Sequence, residues 1–438
     1  MRALMLHAAR SALGRARSLA LLLACGLAVV GCESLLDVEK PGVIPAEDLN
    51  DPVRAPLLVA GAIGDFECAF GAFVVMGGII REEFIDATQT ADRWPYDRRE
   101  VSPGDQRYST TGCANLGVYV PLSTARFTAD DVLAKLEVWT DAEMPEGVNR
   151  TRLIATAAAY AGYSSLLIGE AFCSAAVDLG PEMTPREFFE RAEARFTRAI
   201  EAATAVGGAA ADSIRHMSRV GRARARLNLS QFVPAKLAEA AADAALVPVG
   251  FVRNATASAA PARRENRVFS QNNQAQSVSV GTQYRNLLVE GVPDQRVRVT
   301  DANRTATDGT RIWVQEKYAG LGSPLPIATY DEAQLILAEA ALRGGNPAGA
   351  VTIINALRAR SSTPAYTGGT SAAEVMALLI DERRRELFLE GHHLYDSIRF
   401  NLSLQPATGT VFSKGGTYGS TKCMPLPDIE RLNNPNIG

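Results

Sequence analysis

Histidine is scarce in this chain of 438 residues, with 4 in all, and aromatic residues make up only 7%. One of the four, His7, stands near the N-terminus, which leaves His216, His392 and His393 for any imidazole chemistry. No H-E-x-x-H, G-x-S-x-G or G-x-x-x-x-G-K-[ST] pattern occurs, so zinc-protease, serine-hydrolase and P-loop chemistry find no support. Cysteine is also sparse, with 6 residues, and no spacing resembles a C-x-x-C zinc pair. We expect no metal and no cofactor. Neither charge sign dominates: 45 Lys and Arg against 48 Asp and Glu give no reason to expect nucleic acid as a partner. Beyond the N-terminus, no apolar run is expected to reach the roughly 20 residues of a membrane span.

What the N-terminus does contain is an export signal. Residues 1–18 carry Arg2, Arg10, Arg15 and Arg17 and no acid, and residues 19–30 are a twelve-residue apolar run. That length suits a signal peptide rather than a spanning helix. The run ends in Val29-Val30-Gly31-Cys32, a lipobox; the rival Cys25 would leave VVGC as an apolar tail. We therefore read 1–31 as a lipoprotein signal peptide and Cys32 as the lipidated residue, with 32–438 a single domain. Two acyl chains on Cys32 would anchor the chain stably to a membrane. Removing four arginines leaves 41 − 48, or −7. Cys68, Cys113, Cys173 and Cys423 remain. An even number in an exported chain suggests two disulfides among three connectivities. Cys68–Cys113 would bracket a charged, aromatic loop, and Cys173–Cys423 would tie the tail to the helical body.

Helical periodicity dominates the rest. Helices are expected at 125–142, with Trp139 on its core face, at 149–170, and after Thr184-Pro185-Arg186-Glu187, a capping box with proline in the first turn. A pair follows at 211–229 and 234–246. Residues 331–342 form another helix, stopped at Gly344-Gly345-Asn346-Pro347, with a restart to Arg360. Such pairs predict a mainly α, tetratricopeptide-like scaffold, although a strict 34-residue period is missing. Residues 60–120 and 250–325 are rich in Gly, Asn, Thr and Arg and are expected to be long irregular loops with few short strands, such as 311–314. In 376–390 the apolar stripe is Met376, Leu379, Ile380 and Leu387. Arg383 falls within it and needs a partner, for which Glu386 or Glu390 stands at helical reach. Gly391 suits a positive φ.

Sugar sites pair exposed aromatic rings with planar polar groups. Residues 91–108 place Trp94, Tyr96 and Tyr108 beside Arg93 in a proline-interrupted loop; Tyr284 with Asn286, and Trp313, are further candidates. The arginines of this loop would also suit an anionic ligand.

The C-terminal third carries a family pattern. DERRRELFLEGHHLYDSIRF (381–400) resembles the SusD/RagB signature through Glu382, Arg383, Glu386, Leu387, Glu390, Gly391, Tyr395, Asp396 and Arg399. Asn355-x-x-Arg358-x-Arg360, Asp294-x-Arg296, the tail PLPDIERLNNPNI and the post-lipobox Leu35-Leu36-Asp37-Val38 with Pro41 resemble further landmarks of that family. His393 departs from it, where many members have arginine. The resemblance implies a lipid-anchored protein on the outer face of the outer membrane, acting as a lid over a TonB-dependent, SusC-like transporter. It would capture an oligomeric nutrient, most commonly a glycan, without being an enzyme. A helical scaffold for an envelope protein partner, or a glycoside hydrolase using two carboxylates, are the competing expectations.

Overall fold

Side-chain caps mark the start of half of the long helices. The computed structural model describes residues 49–437; the signal, Cys32 and the segment after it lie outside the described residues. The helices of seven residues or more are α1 (Ala55–Ile80), α2 (Tyr119–Val138), α3 (Arg150–Ala171), α4 (Pro185–Val206), α5 (Gly208–Leu229), α6 (Lys236–Ala244), α7 (Tyr330–Arg343), α8 (Pro347–Arg360), α9 (Ala372–Glu386) and α10 (His393–Arg399). Asn149 caps α3 by accepting from the Arg152 amide at 2.8 Å. Thr184 and Glu187 form the expected capping box of α4, with Pro185 in its first turn. Gly345 turns the chain at φ 85°, and Asn346 then caps α8. Ser371 and Glu374 box the start of α9. Each cap satisfies amides that the helix itself leaves unpaired.

From α1 to α6 each helix packs on the next; α7 continues the stack onto α5 and α6, and α8 and α9 close it. This is the mainly α, tetratricopeptide-like scaffold expected. The Phe196 ring of α4 packs closely against two neighbouring helices. A Cβ at Gly162 of α3 would come within 2.7 Å of that ring, and one at Gly221 of α5 closer still. The two glycines make the slot that the ring fills.

Between the helices lie five two-stranded antiparallel ladders. The strands are β1 (Phe84–Asp86), β2 (Ala175–Ala176), β3 (Glu182–Met183), β4 (Val252–Ala255), β5 (Val278–Val280), β6 (Leu288–Val289), β7 (Val292–Pro293), β8 (Val299–Thr305), β9 (Arg311–Gln315) and β10 (Leu325–Thr329). They pair as β1–β5, β2–β3, β4–β10, β6–β7 and β8–β9.

Three expectations need correction. Residues 60–80 are not irregular but complete α1. Their glycines serve close packing rather than turns: a Cβ at Gly71 or Gly78 would meet Arg267 or Phe84 at 3.1 Å. Pro52–Ile80 is also long and apolar enough to cross a membrane by length and composition, yet most of it is buried in the protein as a core helix. Trp139 is not on the core face of α2. It follows the last helical residue with extended backbone and is half-buried.

Both disulfides form as expected, Cys68–Cys113 with Cα atoms 5.7 Å apart and Cys173–Cys423 at 5.1 Å. The Cys173 amide also donates to Met424 O at 2.9 Å, so the tail is held by backbone and sulfur together.

Truncating Phe196 to Ala should cost about 3–5 kcal/mol through the cavity it leaves. Urea unfolding reads this, and an unchanged midpoint would remove Phe196 as the keystone of α3–α5. Replacing Cys173 and Cys423 together by Ser, across a separation of 250 residues, should cost on the order of 5 kcal/mol by loop entropy. The same titration under oxidising conditions reads it.

Candidate ligand-binding face

One face of the protein is a layer of short strands and loops stitched by polar side chains. β1 pairs with β5, from Phe84 opposite Val280 to Asp86 opposite Val278. The Ser279 hydroxyl donates to Arg311 O at 2.8 Å and accepts from the Trp313 amide at 2.9 Å, joining β5 to β9. Gln89 donates to Thr307 O at 2.9 Å, and the Lys414 ammonium spans Asp86 at 3.0 Å and Asp308 at 2.8 Å. So the segments 84–98, 278–286, 299–315 and 405–422 form one layer.

Burial sorts the candidate residues in that layer. Arg93 is only 8% exposed and lies 2.7 Å from Asp86, so it anchors the loop rather than reaching for ligand. Tyr96 and Tyr108 are fully buried. Their rings meet edge to face at 6.4 Å, and the Tyr96 hydroxyl accepts from the Tyr108 amide at 2.9 Å. Tyr284 is fully buried too, stacked on Phe388 at 4.9 Å with the Arg384 guanidinium 5.1 Å from its ring. These four are structural, because the bonding groups a ligand would need are already used or enclosed.

Trp94, Asn286 and Trp313 remain accessible. Trp94 is half-buried, its indole N–H donating to Thr88 O at 3.1 Å, which fixes the ring plane. Trp313 is half-buried on β9 beneath Arg285, whose guanidinium lies 5.2 Å from the ring centroid. Arg285 is itself fixed by donating to Val280 O at 2.6 and 2.9 Å. Sequence reasoning passed over Arg285, although it stands between two residues that were singled out. Asn286 is exposed with φ 53° and borders a groove of about 240 Å³ with Asp294, Arg298 and Glu316. A second groove of about 380 Å³ adjoins it, lined by Arg296, Lys317, Glu386 and Glu390. Burial pushes the Glu386 carboxyl up to about 7, against the pull of Arg296.

The signature residues lie mostly beneath this face, as a buried ionic cluster. Arg383 pairs with Asp396 of α10 at 2.8 Å, not with Glu386 or Glu390 as expected. Glu386 faces Arg296 at 3.2 Å and Glu390 faces Lys317 at 2.7 Å. The helical spacing brought those carboxylates within reach of Arg383, but the turn after α9 swings α10 in first. Arg296 lies 2.9 Å from Asp294 and 2.6 Å from Glu382, which also receives Arg358 at 2.6 Å. Gly391 has φ 82°, and a Cβ there would meet the Phe73 ring at 2.8 Å; it lies beyond the end of α9. His393 packs edge-on to Tyr284 at 6.1 Å, a structural position as expected. No group of three His, Cys, Asp or Glu able to hold a metal occurs among the described residues.

Fold and face together define a mainly α, tetratricopeptide-like protein carrying a tethered loop layer with aromatic and cationic side chains. The chain is similar to SusD-like proteins, in sequence over part of its length and in fold over most of it. The SusD family model matches residues 313–425. The starch-binding protein SusD of Bacteroides thetaiotaomicron is 36% identical over 169 residues, a match covering 35% of this chain and 30% of that protein. A SusD homologue from the same species superposes with a TM-score of 0.70 at 14% identity, covering 91% of this chain and 99% of that one. A SusD-like carbohydrate-binding protein from Bacteroides vulgatus gives 0.63 at 15% identity, covering 88% and 96%. For NanU of Bacteroides fragilis the values are 0.65 and 12%, with 91% and 99% covered.

Beside the cluster, Glu332 is enclosed and lacks a hydrogen bond to either oxygen; Arg224 and His392 stand 3.9 Å away. Burial raises its carboxyl to about 8, while the unfolded chain releases that proton near 4.3. The folded state therefore holds the extra proton, and stability falls as pH rises from about 4.3 to 8, by up to about 1.4 kcal/mol per unit. Glu332→Gln should raise the melting temperature more at pH 8 than at pH 5. Calorimetry at both values checks it, and equal shifts would show that Glu332 is ionised throughout.

Proposed function

We propose that this chain is a surface lipoprotein that captures an oligomeric nutrient, a glycan first among candidates, and delivers it to a SusC-like TonB-dependent transporter. The observation that carries the reading is that Trp94 and Trp313 both stand accessible on one stitched layer, each ring with its own partner. Rings fixed before binding lose little entropy when a sugar stacks on them, and the Arg285 guanidinium beside Trp313, with the exposed Asn286 amide next to it in the chain, would supply donors for ring hydroxyls. The names of the relatives, starch-binding and carbohydrate-binding, favour a glycan over a peptide. Acylation at Cys32 would place the chain at the outer membrane facing the exterior, with the ligand presented to the barrel beneath it.

Trp94→Ala and Trp313→Ala should each weaken binding of an oligosaccharide found by array screening by about tenfold, the equivalent of roughly 1.4 kcal/mol. Tyr96→Phe, which touches only a buried hydroxyl, should leave that affinity unchanged. Calorimetric titration distinguishes them. Retained affinity in both tryptophan variants would sink the site, and a scaffold for a protein partner would then be the better account. Affinity purification from solubilised outer membrane should bring down a TonB-dependent barrel; recovery of the chain alone would defeat the delivery step.

A further inference from the structure

A groove of about 390 Å³ is lined by residues from the N-terminal halves of three helices, α1, α3 and α5, and by Arg253 of β4. Its walls are apolar, with Val59, Ile63, Leu153 and Ile214, and its only charged lining residues are Arg152 and Arg253. This composition sets it apart. The grooves of about 430, 380, 330 and 240 Å³ elsewhere on the protein all mix carboxylates with their cations. Neither arginine has a carboxylate within ion-pair distance among the described residues. Arg253 donates to the Tyr160 hydroxyl at 3.3 Å, but its Nε is cut off from solvent with no hydrogen-bond partner. Arg152 is exposed, and no side-chain bond of its guanidinium occurs among the described residues. α1 and α5 both begin without a side-chain cap, so their positive ends add to the same field.

Beside the groove, α1 shows solvent an uncharged flank. Leu57 is 51% exposed, and Ala60 and Gly61 are exposed next to it. No polar side chain occurs from Ala55 to Gly64. A free oxyanion would gain nothing from such a flank or from the apolar walls. A molecule with an anionic group on an apolar body would use both, since burying the body releases water from apolar surface while the two guanidiniums take the charge.

We propose that this groove binds the anionic headgroup and first acyl methylenes of a membrane lipid. The phosphate would sit between Arg152 and Arg253, the methylenes against Val59, Ile63 and Leu153, and the α1 flank against the lipid surface. The site is separate from the aromatic face and independent of what that face binds.

The test uses the full chain carrying Cys32→Ser, so that no acyl chain of its own contributes, and isothermal titration with three probes. Dihexanoyl phosphatidylglycerol should bind, dihexanoyl phosphatidylcholine about tenfold more weakly, and inorganic phosphate about a hundredfold more weakly. Arg152→Gln and Arg253→Gln should each weaken phosphatidylglycerol binding about tenfold, the usual effect of losing a charge-assisted hydrogen bond. Arg152 makes no side-chain bond to other described residues, so its variant should fold with an unchanged melting temperature and isolates the binding effect. Absence of phosphatidylglycerol binding, equal binding of the two lipids, or a double arginine variant that binds like the parent would each overturn the proposal. Phosphate binding as tightly as the lipid would make the groove an oxyanion site and equally overturn it.

Discussion

Glu382 is the residue on which the arrangement of the C-terminal half depends. It takes Arg358 from α8 and Arg296 from the loop before β8, each at 2.6 Å, while itself standing on α9. Asp294 then takes both Arg296 and Arg385. All are buried, and a buried guanidinium without a carboxylate is far more costly than the pair. The loop carrying Asp294 and Arg296 therefore has one seat on α9. Helix packing alone would leave its height and angle open; charge pairing closes them.

The same device recurs where the loop layer is thinnest in apolar contacts. Asp86 receives Arg93 and Lys414, Lys414 also holds Asp308, and Arg99 pairs with Glu82. Isolated two-stranded ladders of two to four residue pairs supply little stability by themselves, so ion pairs and the Ser279 hydroxyl carry the joints. Because those joints consume Arg93 and enclose Tyr96 and Tyr108, the layer turns only part of its aromatic content outward. Trp94 and Trp313 are among the rings it leaves accessible, each with a polar partner beside its ring.

How much could be read beforehand follows the range of the physics. The start of α4 was legible because Thr184, Pro185 and Glu187 act on one another within three residues. The two disulfides were legible because four cysteines leave few pairings and loop topology favours one of them. Residues 60–80 were not, because a glycine that permits close packing and one that permits a turn look alike in one dimension. The partner of Arg383 was misread for a related reason: helical spacing ranks Glu386 and Glu390, but Asp396 arrives through a turn whose path local sequence does not specify.

The sequence by itself determined the helical pairs, their caps, the disulfide-linked tail and the SusD-like signature, all of which arise from contacts between near neighbours or from residue identity. Only the tertiary structure decided which aromatics stay accessible and which are enclosed. Tyr96, Tyr108 and Tyr284 differ from Trp94 and Trp313 in nothing a sequence displays. What separates them is whether segments 200 or 300 residues away fold over the ring. Arg152 and Arg253 likewise came to line one groove only when β4 packed beside the N-terminal halves of three helices, since exposure is a property of what the rest of the chain covers.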